Sequence, residues 1–169
     1  RPGADEHAPY YGAYVGKVPD GDVVRTLAAQ IGETAALLRG IPEAGAGHRY
    51  AEGKWSIREV VGHVADAERI FAYRALRFAR GDGTELPGFD EAAFVARSRL
   101  DHRTLGSLVD ELLAVRGATV ALFDHLFPEE WDRRGTANGK VMSVRALAWV
   151  IAGHERHHVA VLRERYLRG

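Results

Sequence analysis

Apolar side chains recur at three- and four-residue spacing in four long stretches of this 169-residue chain. That spacing is typical of amphipathic helices, whose apolar stripe faces a core. A residue able to cap a helix precedes each stretch, namely Asp20 or Asp22, then Ser56, Thr104 and Ser143. The four stripes consist, in chain order, of Val24, Leu27, Ile31, Ala35 and Leu38; of Ile57, Val60, Val61, Val64, Phe71 and Ala75; of Leu105, Leu108, Leu112, Val115, Val120 and Phe123; and of Leu147, Val150, Ile151, Val161 and Leu162.

Glycine and proline interrupt the chain between these stretches and end the predicted helices. The second helix, in which Ser56 and Glu59 form a capping box, is predicted to run to about Arg80. A Gly-Asp-Gly sequence follows it. Residues 84–103 form the longest connection, and we expect a short helix around Asp90–Ser98 within it.

These elements predict an all-α protein, a four-helix bundle with a long crossover between helix 2 and helix 3. The bundle is assigned to residues 20–169 as a single domain. Residues 1–19 are rich in proline, glycine and tyrosine, and we predict that they form an irregular N-terminal arm. No strand pair is predicted, and residues 128–142 are interpreted as a polar loop with a turn at Asn138-Gly139.

The charge balance and the lack of cysteine narrow the possible functions. The chain carries 23 basic and 23 acidic side chains, whereas proteins that bind nucleic acid normally have a basic excess, so no nucleic-acid partner is expected. It has no cysteine, which excludes disulfides, iron–sulfur clusters, thiolate zinc sites and a cysteine nucleophile. No apolar run approaches the roughly 20 residues of a membrane span, and no signal peptide opens the sequence. We therefore expect a cytoplasmic protein with no membrane partner.

Two histidines of the fourth helix have the spacing of a metal site. His154 and His158 lie one turn apart on the same helical face, in the middle of the apolar stripe. Burying an imidazole without a partner costs free energy, and a metal ion would satisfy the pair. His157 is also about one turn from His154, so periodicity leaves open which of the two is the ligand. The structural alternative is that these are ordinary core histidines.

His63 on the second helix is the candidate third ligand. A helical wheel puts it at the edge of the apolar stripe, where it can reach a groove between helices. Three neutral imidazoles suit zinc, nickel, iron(II) or copper and leave a coordination position open. The sequence does not show whether the two helices face each other.

The residues from His154 to His158 also match the H-E-x-x-H pattern of zinc peptidases, with Glu155 as the general base. Such enzymes need a third ligand, commonly downstream, but only eleven residues follow His158. They also need a sheet to hold an extended peptide, and none is predicted. The match is therefore interpreted as accidental.

Three segments resemble motifs of the DinB-like family, which consists of four-helix-bundle, metal-dependent enzymes and includes the bacillithiol transferases. Residues 54–66, KWSIREVVGHVAD, are similar to the opening of the family's second helix, and residues 153–158, GHERHH, to its H-x-x-x-H motif. Residues 89–94, FDEAAF, look like the Y-D-E-x-x-W segment of the bacillithiol-transferase branch, with phenylalanine in place of the tyrosine and the tryptophan. The resemblance extends from about residue 17 to about residue 166.

This resemblance implies a ligand set of His63, His154 and His158, with His157 left out. It also implies one divalent metal ion per chain, most often zinc or nickel, and a homodimer. Family members with assigned activities transfer low-molecular-weight thiols to electrophiles or use such a thiol to isomerise a substrate. The resemblance thus implies an S-transferase whose partners are a bacillithiol-like thiol and an electrophile. Because the chain has no cysteine, the thiol would come from outside and be activated at the metal.

Two alternatives stay open at this stage. The same site could activate water, which would make the protein a metal-dependent hydrolase. The protein could also be a non-catalytic, stress-related protein that binds a metal or a small molecule.

Five further residues are candidates for supporting roles. Asp66, one turn after the histidine of the second helix, could orient an imidazole, and it is equally compatible with a plain surface charge. Glu155 is a second candidate for such an orienting role, although its direction on the helix favours a structural or solvent-exposed position. Tyr10, Tyr11 and Arg156 are the candidate contacts to a carboxylate-bearing thiol.

Overall fold

The structure, a computed structural model, describes residues 1–167 and is dominated by four long helices. The α-helices are α1 (Gly12–Val15), α2 (Val23–Arg39), α3 (Ile57–Ala79), α4 (Glu91–Arg97), α5 (Leu105–Asp124), α6 (Pro128–Trp131) and α7 (Val144–Val161). Helix α7 continues as a π-helical turn over Leu162–Tyr166. Short 3₁₀ segments lie at Ala4–Glu6, Pro9–Tyr11, Glu43–Gly45 and Leu100–His102.

The four long helices form a bundle in which the order of the helices around the bundle differs from their order along the chain. Helix α3 packs against α5 and α7, and α2 packs against the same two helices. Helices α2 and α3 therefore lie diagonally opposite each other, as do α5 and α7. The connection between α3 and α5, residues 80–104, is the longest of the three and contains α4. The predicted four-helix bundle with a long crossover is confirmed.

The long helices begin at predicted caps. The carboxylate of Asp22, rather than that of Asp20, accepts two backbone N–H groups of the first turn of α2. Ser56 and Glu59 form the predicted capping box, with hydrogen bonds of 2.7 and 3.2 Å. Thr104 and Ser143 accept backbone N–H groups at the starts of α5 and α7. These local signals place each helix start without reference to the rest of the fold.

Residues 1–19 are more regular than the predicted irregular arm. They contain α1 and two 3₁₀ segments, and α1 packs on α7. Arg1 donates hydrogen bonds of 2.8 and 2.7 Å to the carbonyl oxygens of Val15 and Val18, both of which are buried. Glu6 accepts a hydrogen bond of 2.7 Å from the hydroxyl that caps α7. These contacts with the bundle hold the segment in place. They join residues that are far apart in the sequence, so the local pattern of apolar residues does not predict them.

The prediction that no strand pair is present is wrong. Strands β1 (Arg134–Ala137) and β2 (Lys140–Ser143) form an antiparallel hairpin. Asn138 and Gly139 at its turn both have positive φ, 52° and 66°, as a two-residue hairpin turn requires. Leu86 of the crossover exchanges two backbone hydrogen bonds of 2.9 Å with the hairpin. The turn signal is present in the sequence, but four-residue strands are too short to show alternation.

The core lies between the four helices and extends under the hairpin. Its largest fully buried apolar side chains include Leu27, Phe78, Phe123 and Trp149, one from each long helix. Across residues 1–167, no helix combines the length and the apolar character that crossing a bilayer would need.

Candidate metal centre

Three histidines from two helices meet between α3 and α7. His63 lies on α3, and His154 and His158 lie one turn apart on α7. The Nε2 atom of His154 is 3.1 Å from Nε2 of His63 and 3.1 Å from Nε2 of His158. One ring nitrogen from each residue lies within 4.8 Å of the other two. The structure thus brings the three predicted ligands together, and we call them the histidine cluster.

His157 is not part of the cluster, although it is half-buried beside it. Three residues turn a helix by about 300° and four by about 400°, so His157 and His158 lie on opposite sides of His154. Helix α3 is on the side of His158, whose ring centroid is 4.9 Å from that of His63. The ring of His157 lies 5.5 Å from that of Tyr14 instead. The position of α3 therefore selects between two residues that periodicity alone could not separate.

Burial keeps the histidine cluster uncharged at neutral pH. It lowers the pKa of His63 from 6.5 to about 4 and that of His158 to about 3, the second with a contribution from the neighbouring histidines. The pKa of His154 is held well below its usual value by burial and by the histidines around it. A neutral imidazole offers one unprotonated ring nitrogen, which is the form that binds a metal ion.

The contacts within the histidine cluster fit a cation better than they fit hydrogen bonding. Nε2 of His154 faces two ring nitrogens at 3.1 Å. If it carries a proton it can donate well to only one of them, and if it does not, its single lone pair can accept from only one. At least one close nitrogen pair is therefore left without a full hydrogen bond. A divalent transition metal would accept the lone pairs of all three nitrogens.

Aromatic side chains surround the cluster. The rings of Phe71 and Tyr14 lie 6.0 and 5.4 Å from the ring of His154, and Trp55 lies 4.8 Å from His63. Tyr14 reaches this position because α1 lies directly on α7 at Gly153, where a Cβ would overlap the carbonyl oxygen of Tyr14. The tyrosine-rich N-terminal segment is therefore one wall of the site.

A cavity of about 320 Å³ opens beside His63 and His154. Its wall includes Tyr10 and Tyr11, the two tyrosines predicted to contact the substrate, and also Tyr14. The crossover contributes Gly88 and Phe89, and the hairpin contributes Asn138 and Lys140. The unpredicted hairpin thus forms part of the site.

Arg74 is a buried charged residue of this cavity that the sequence pattern did not single out. It is buried, and its Nη2 donates a hydrogen bond of 2.9 Å to the carbonyl oxygen of Pro87. Arg74 follows His63 by eleven residues, so it lies about three turns further along the same face of α3. That spacing is the sequence signal that could have identified it.

Two predicted supporting residues lie away from the cavity. Arg156 donates a hydrogen bond of 2.9 Å to Gln30 and lines a cleft between α2 and α7, so the structure does not support it as a substrate contact. Asp66 is half-buried and pairs with Arg69 at 3.5 Å, and burial raises its pKa. Within residues 1–167 it makes no hydrogen bond to a histidine, and it lines a cleft together with Phe94 and Arg97 of α4.

Glu155 is buried in the core rather than exposed, and it does not orient an imidazole. It accepts a hydrogen bond of 2.5 Å from Thr34 and a further one from Gln30. Arg116 pairs with Glu155 at 2.7 Å and binds Glu68 through two hydrogen bonds of 2.8 and 2.7 Å. This buried network ties α2, α3, α5 and α7 together. It therefore fixes the rotation of α3 and α7 that brings the histidines face to face.

Comparisons with known proteins agree with this fold. The sequence model of the DinB superfamily matches residues 26–162. The chain is 27% identical over 143 residues to OB0413 of Oceanobacillus iheyensis, a candidate metal-dependent hydrolase, and the match covers 83% of this chain and 79% of that protein.

Two solved structures share the architecture. YfiT from Bacillus subtilis, described as a candidate metal-dependent hydrolase with an unusual four-helix bundle topology, has a TM-score of 0.70 at 18% identity and covers 97% of this chain and 90% of its own. A mycothiol-dependent maleylpyruvate isomerase has a TM-score of 0.68 at 14% identity, covering 86% of this chain and 61% of its own. At these identities the likeness concerns the fold.

Proposed function

Since this chain belongs to the DinB superfamily, we propose that it is a metal-dependent enzyme whose histidine cluster binds one divalent metal ion. The observation that carries the proposal is the convergence of three neutral imidazole nitrogens, 3.1 Å apart in two pairs, beside a cavity. Three protein ligands leave a coordination position for a guest, which is typical of catalytic rather than structural sites. The resemblance to OB0413 supports the same assignment. Zinc and nickel are the proposed metals.

The residues around the cluster have separable roles. His63, His154 and His158 donate the ring nitrogens, while Phe71 and Tyr14 limit access of water from the sides. When bound, a divalent metal supplies positive charge that lowers the pKa of a coordinated thiol or water and polarises an electron-poor partner. Burial raises the pKa of Tyr14, so its hydroxyl keeps its proton even at alkaline pH.

For the reaction, we propose transfer of a low-molecular-weight thiol to an electrophile. The chain contains no cysteine, so a sulfur nucleophile must enter through the cavity. The fold is compatible with a thiol cosubstrate, since the similar isomerase depends on mycothiol. Among the described residues of the cavity wall, the only carboxylate is that of Glu91, which is exposed, so no buried general base stands ready there to activate water.

Thiol consumption by the zinc- or nickel-loaded protein tests this proposal. Bacillithiol, mycothiol and glutathione are each offered with an electrophile such as 1-chloro-2,4-dinitrobenzene, and the free thiol is measured over time. We expect consumption with at least one thiol, abolished by metal removal and by His154→Gln and retained in His157→Gln. Equal rates in the wild type and in His154→Gln would contradict the proposal.

Hydrolysis is the second candidate function, and the candidate hydrolase OB0413 favours it. Turnover of ester or amide substrates without added thiol, lost in His154→Gln, would assign this reaction to the same site. Metal binding without either activity would indicate that the protein is a non-catalytic binding protein.

The assembly and location of the protein are also proposals. A homodimer would cover the partly exposed apolar groove between α3 and α5, which includes Tyr73, Leu76 and Leu122. Light scattering of the purified protein tests the dimer, and cell fractionation tests the proposed cytoplasmic location.

A further inference from the structure

Of the arginines among residues 1–167, two are deeply buried, and one of these two is matched by acidic side chains. Arg116 is 1% exposed and is bound by Glu68 and Glu155. Arg74 is 3% exposed, yet across residues 1–167 no carboxylate lies within ion-pair distance of it. Its neighbours are the carbonyl oxygen of Pro87, at 2.9 Å, and the hydroxyl of Tyr11.

An unpaired guanidinium is costly to bury. Arginine carries five N–H donors, and burying a charge without an opposite charge is strongly unfavourable. The Cζ atom of Arg74 lies 5.9 Å from the centre of the Phe71 ring, a cation–π contact that offsets a small part of this cost. Consistent with burial, the pKa of Arg74 is lowered. The side chain therefore lacks the anionic partner that a buried arginine normally has.

The cavity beside the histidine cluster is where that partner can enter. Arg74 is part of its wall, together with His63 and His154. The other charged residues of the wall are Lys140 and Glu91, which are both exposed and of opposite sign. Because Lys140 and Glu91 offset each other, Arg74 gives the cavity an uncompensated positive charge, and a bound divalent cation would add to it.

We propose that Arg74 binds the carboxylate of a small substrate whose reacting group faces the histidine cluster. The inference rests on the proposed function and adds the substrate class to it. Arginine presents paired donors that match a carboxylate. A volume of about 320 Å³ admits only a small molecule. Tyr11, Tyr14 and Phe89 provide aromatic surface for the apolar part of that molecule.

Calorimetric titration of the metal-free protein with succinate and with its uncharged analogue succinamide tests this inference. We expect succinate to bind the wild type at least tenfold more tightly than succinamide. Arg74→Gln should weaken succinate binding at least tenfold, and Arg74→Lys should weaken it less, because lysine keeps the charge but not the paired donors. Arg25→Gln, at an arginine whose side chain is 90% exposed on α2, is the matched control and should leave binding unchanged.

Several results would overturn the inference. One is equal binding of succinate and succinamide to the wild type. This comparison does not depend on whether any variant folds. Another is succinate binding by Arg74→Gln as tight as that of the wild type. Circular dichroism and zinc content show whether each variant keeps its fold and its metal site. A wild type that takes up no metal contradicts the proposed function, whereas the titration of the metal-free protein still decides the role of Arg74.

Mercaptosuccinate identifies which substrate carries the carboxylate. If the thiol carries it, mercaptosuccinate should bind the zinc-loaded protein at least tenfold more tightly than succinate does, and this preference should shrink in Arg74→Gln. If the electrophile carries it, the two probes should bind alike and both should depend on Arg74. Binding of both probes that is independent of Arg74 would contradict the inference in either form.

Discussion

At the scale of single residues, His154 is the centre of the site. It is the one member of the histidine cluster whose Nε2 lies 3.1 Å from both of the others. It is enclosed by Tyr14, Phe71 and the two other histidines, and burial lowers its pKa. Its neighbours along the chain differ in role, because Glu155, about 100° further around α7, bonds to Thr34 in the core, and His157 stays outside the cluster.

Adjacent histidines of α7 should therefore differ in their effect on metal binding. We expect wild-type protein to hold about one zinc ion per chain, and His158→Gln to weaken zinc binding by more than about 100-fold, since loss of a direct donor should exceed the 10–100-fold effect of outer contacts. His157→Gln should leave the affinity within a fewfold of wild type. Competition with a chelator, with elemental analysis of the dialysed protein, measures both. Retention of zinc by His158→Gln and its loss from His157→Gln would show that the ligand assignment is wrong.

At the scale of elements, the site depends on how closely α1 and α7 approach. The carbonyl oxygen of Tyr14 occupies the space that a side chain at Gly153 would need. A glycine inside a helix is unfavourable by about 1 kcal/mol relative to alanine, so its presence in α7 indicates a packing requirement. Gly32 in α2 faces solvent, and an added Cβ there would contact nothing within 4 Å.

The same substitution at these two glycines should have opposite effects. Gly153→Ala should lower the free energy of unfolding by roughly 1–3 kcal/mol, because the new methyl group displaces α1. Gly32→Ala should raise it by up to about 1 kcal/mol through helix propensity alone. Urea unfolding followed by circular dichroism compares the two. Equal stabilisation by both changes would mean that the N-terminal segment is not packed on α7 as described.

The network of Arg116, Glu68 and Glu155 gives a second prediction at this scale. Arg116→Met would leave two carboxylates in the core without their cation, and breaking a buried ion pair costs roughly 3–5 kcal/mol. We expect a loss of that size in urea unfolding and weaker zinc binding, since the network sets the rotation of α3 against α7. Arg25→Met, on the surface of α2, should change stability by less than about 0.5 kcal/mol. A mild effect of Arg116→Met would show that the network is dispensable.

At the scale of the whole molecule, folding and metal binding are coupled through the protonation of the histidine cluster. The folded protein buries the histidines of the cluster in the neutral form, with pKa values of about 4 for His63 and about 3 for His158. In the unfolded chain a histidine titrates near pH 6.5. As the pH falls below this value, the unfolded chain takes up protons that the folded chain does not, so acid favours unfolding.

The metal-free protein should therefore lose stability between about pH 6.5 and pH 4. At pH 5.5 the free energy of unfolding should be lower by roughly 1 kcal/mol for each of these two histidines. Above pH 7 they should not make the free energy of unfolding depend on pH. Saturating zinc at neutral pH should raise the free energy of unfolding by about 2.7 kcal/mol at a concentration 100 times the dissociation constant, and a chelator should reverse this. Urea titrations over a pH series test both, with His125→Gln as the control at an exposed histidine. A pH-independent stability would contradict the neutral, buried cluster.

Local chemistry in the sequence predicts much of this fold. The caps at Asp22, Ser56, Thr104 and Ser143 and the apolar stripes define four helices, because capping and amphipathic periodicity depend only on neighbouring residues. The hairpin is not predicted because its strands are short. The structure of the N-terminal segment is not predicted because tertiary contacts hold it. Arg74 and Arg156 show the same limit in the site, since the direction of each side chain depends on which helix lies next to it.

The amino-acid sequence alone is enough to show that the chain forms four amphipathic helices, that it supplies no cysteine, and that two histidines share one face of the last helix. The packing of the helices is needed to show that α3 lies beside that face, which joins His63 to His154 and His158 and leaves His157 out. It also placed Arg74, without a counter-charge, in the cavity next to them. The physical reason is that periodicity fixes where a residue lies around its own helix axis, whereas the partner it meets depends on the packing of distant segments.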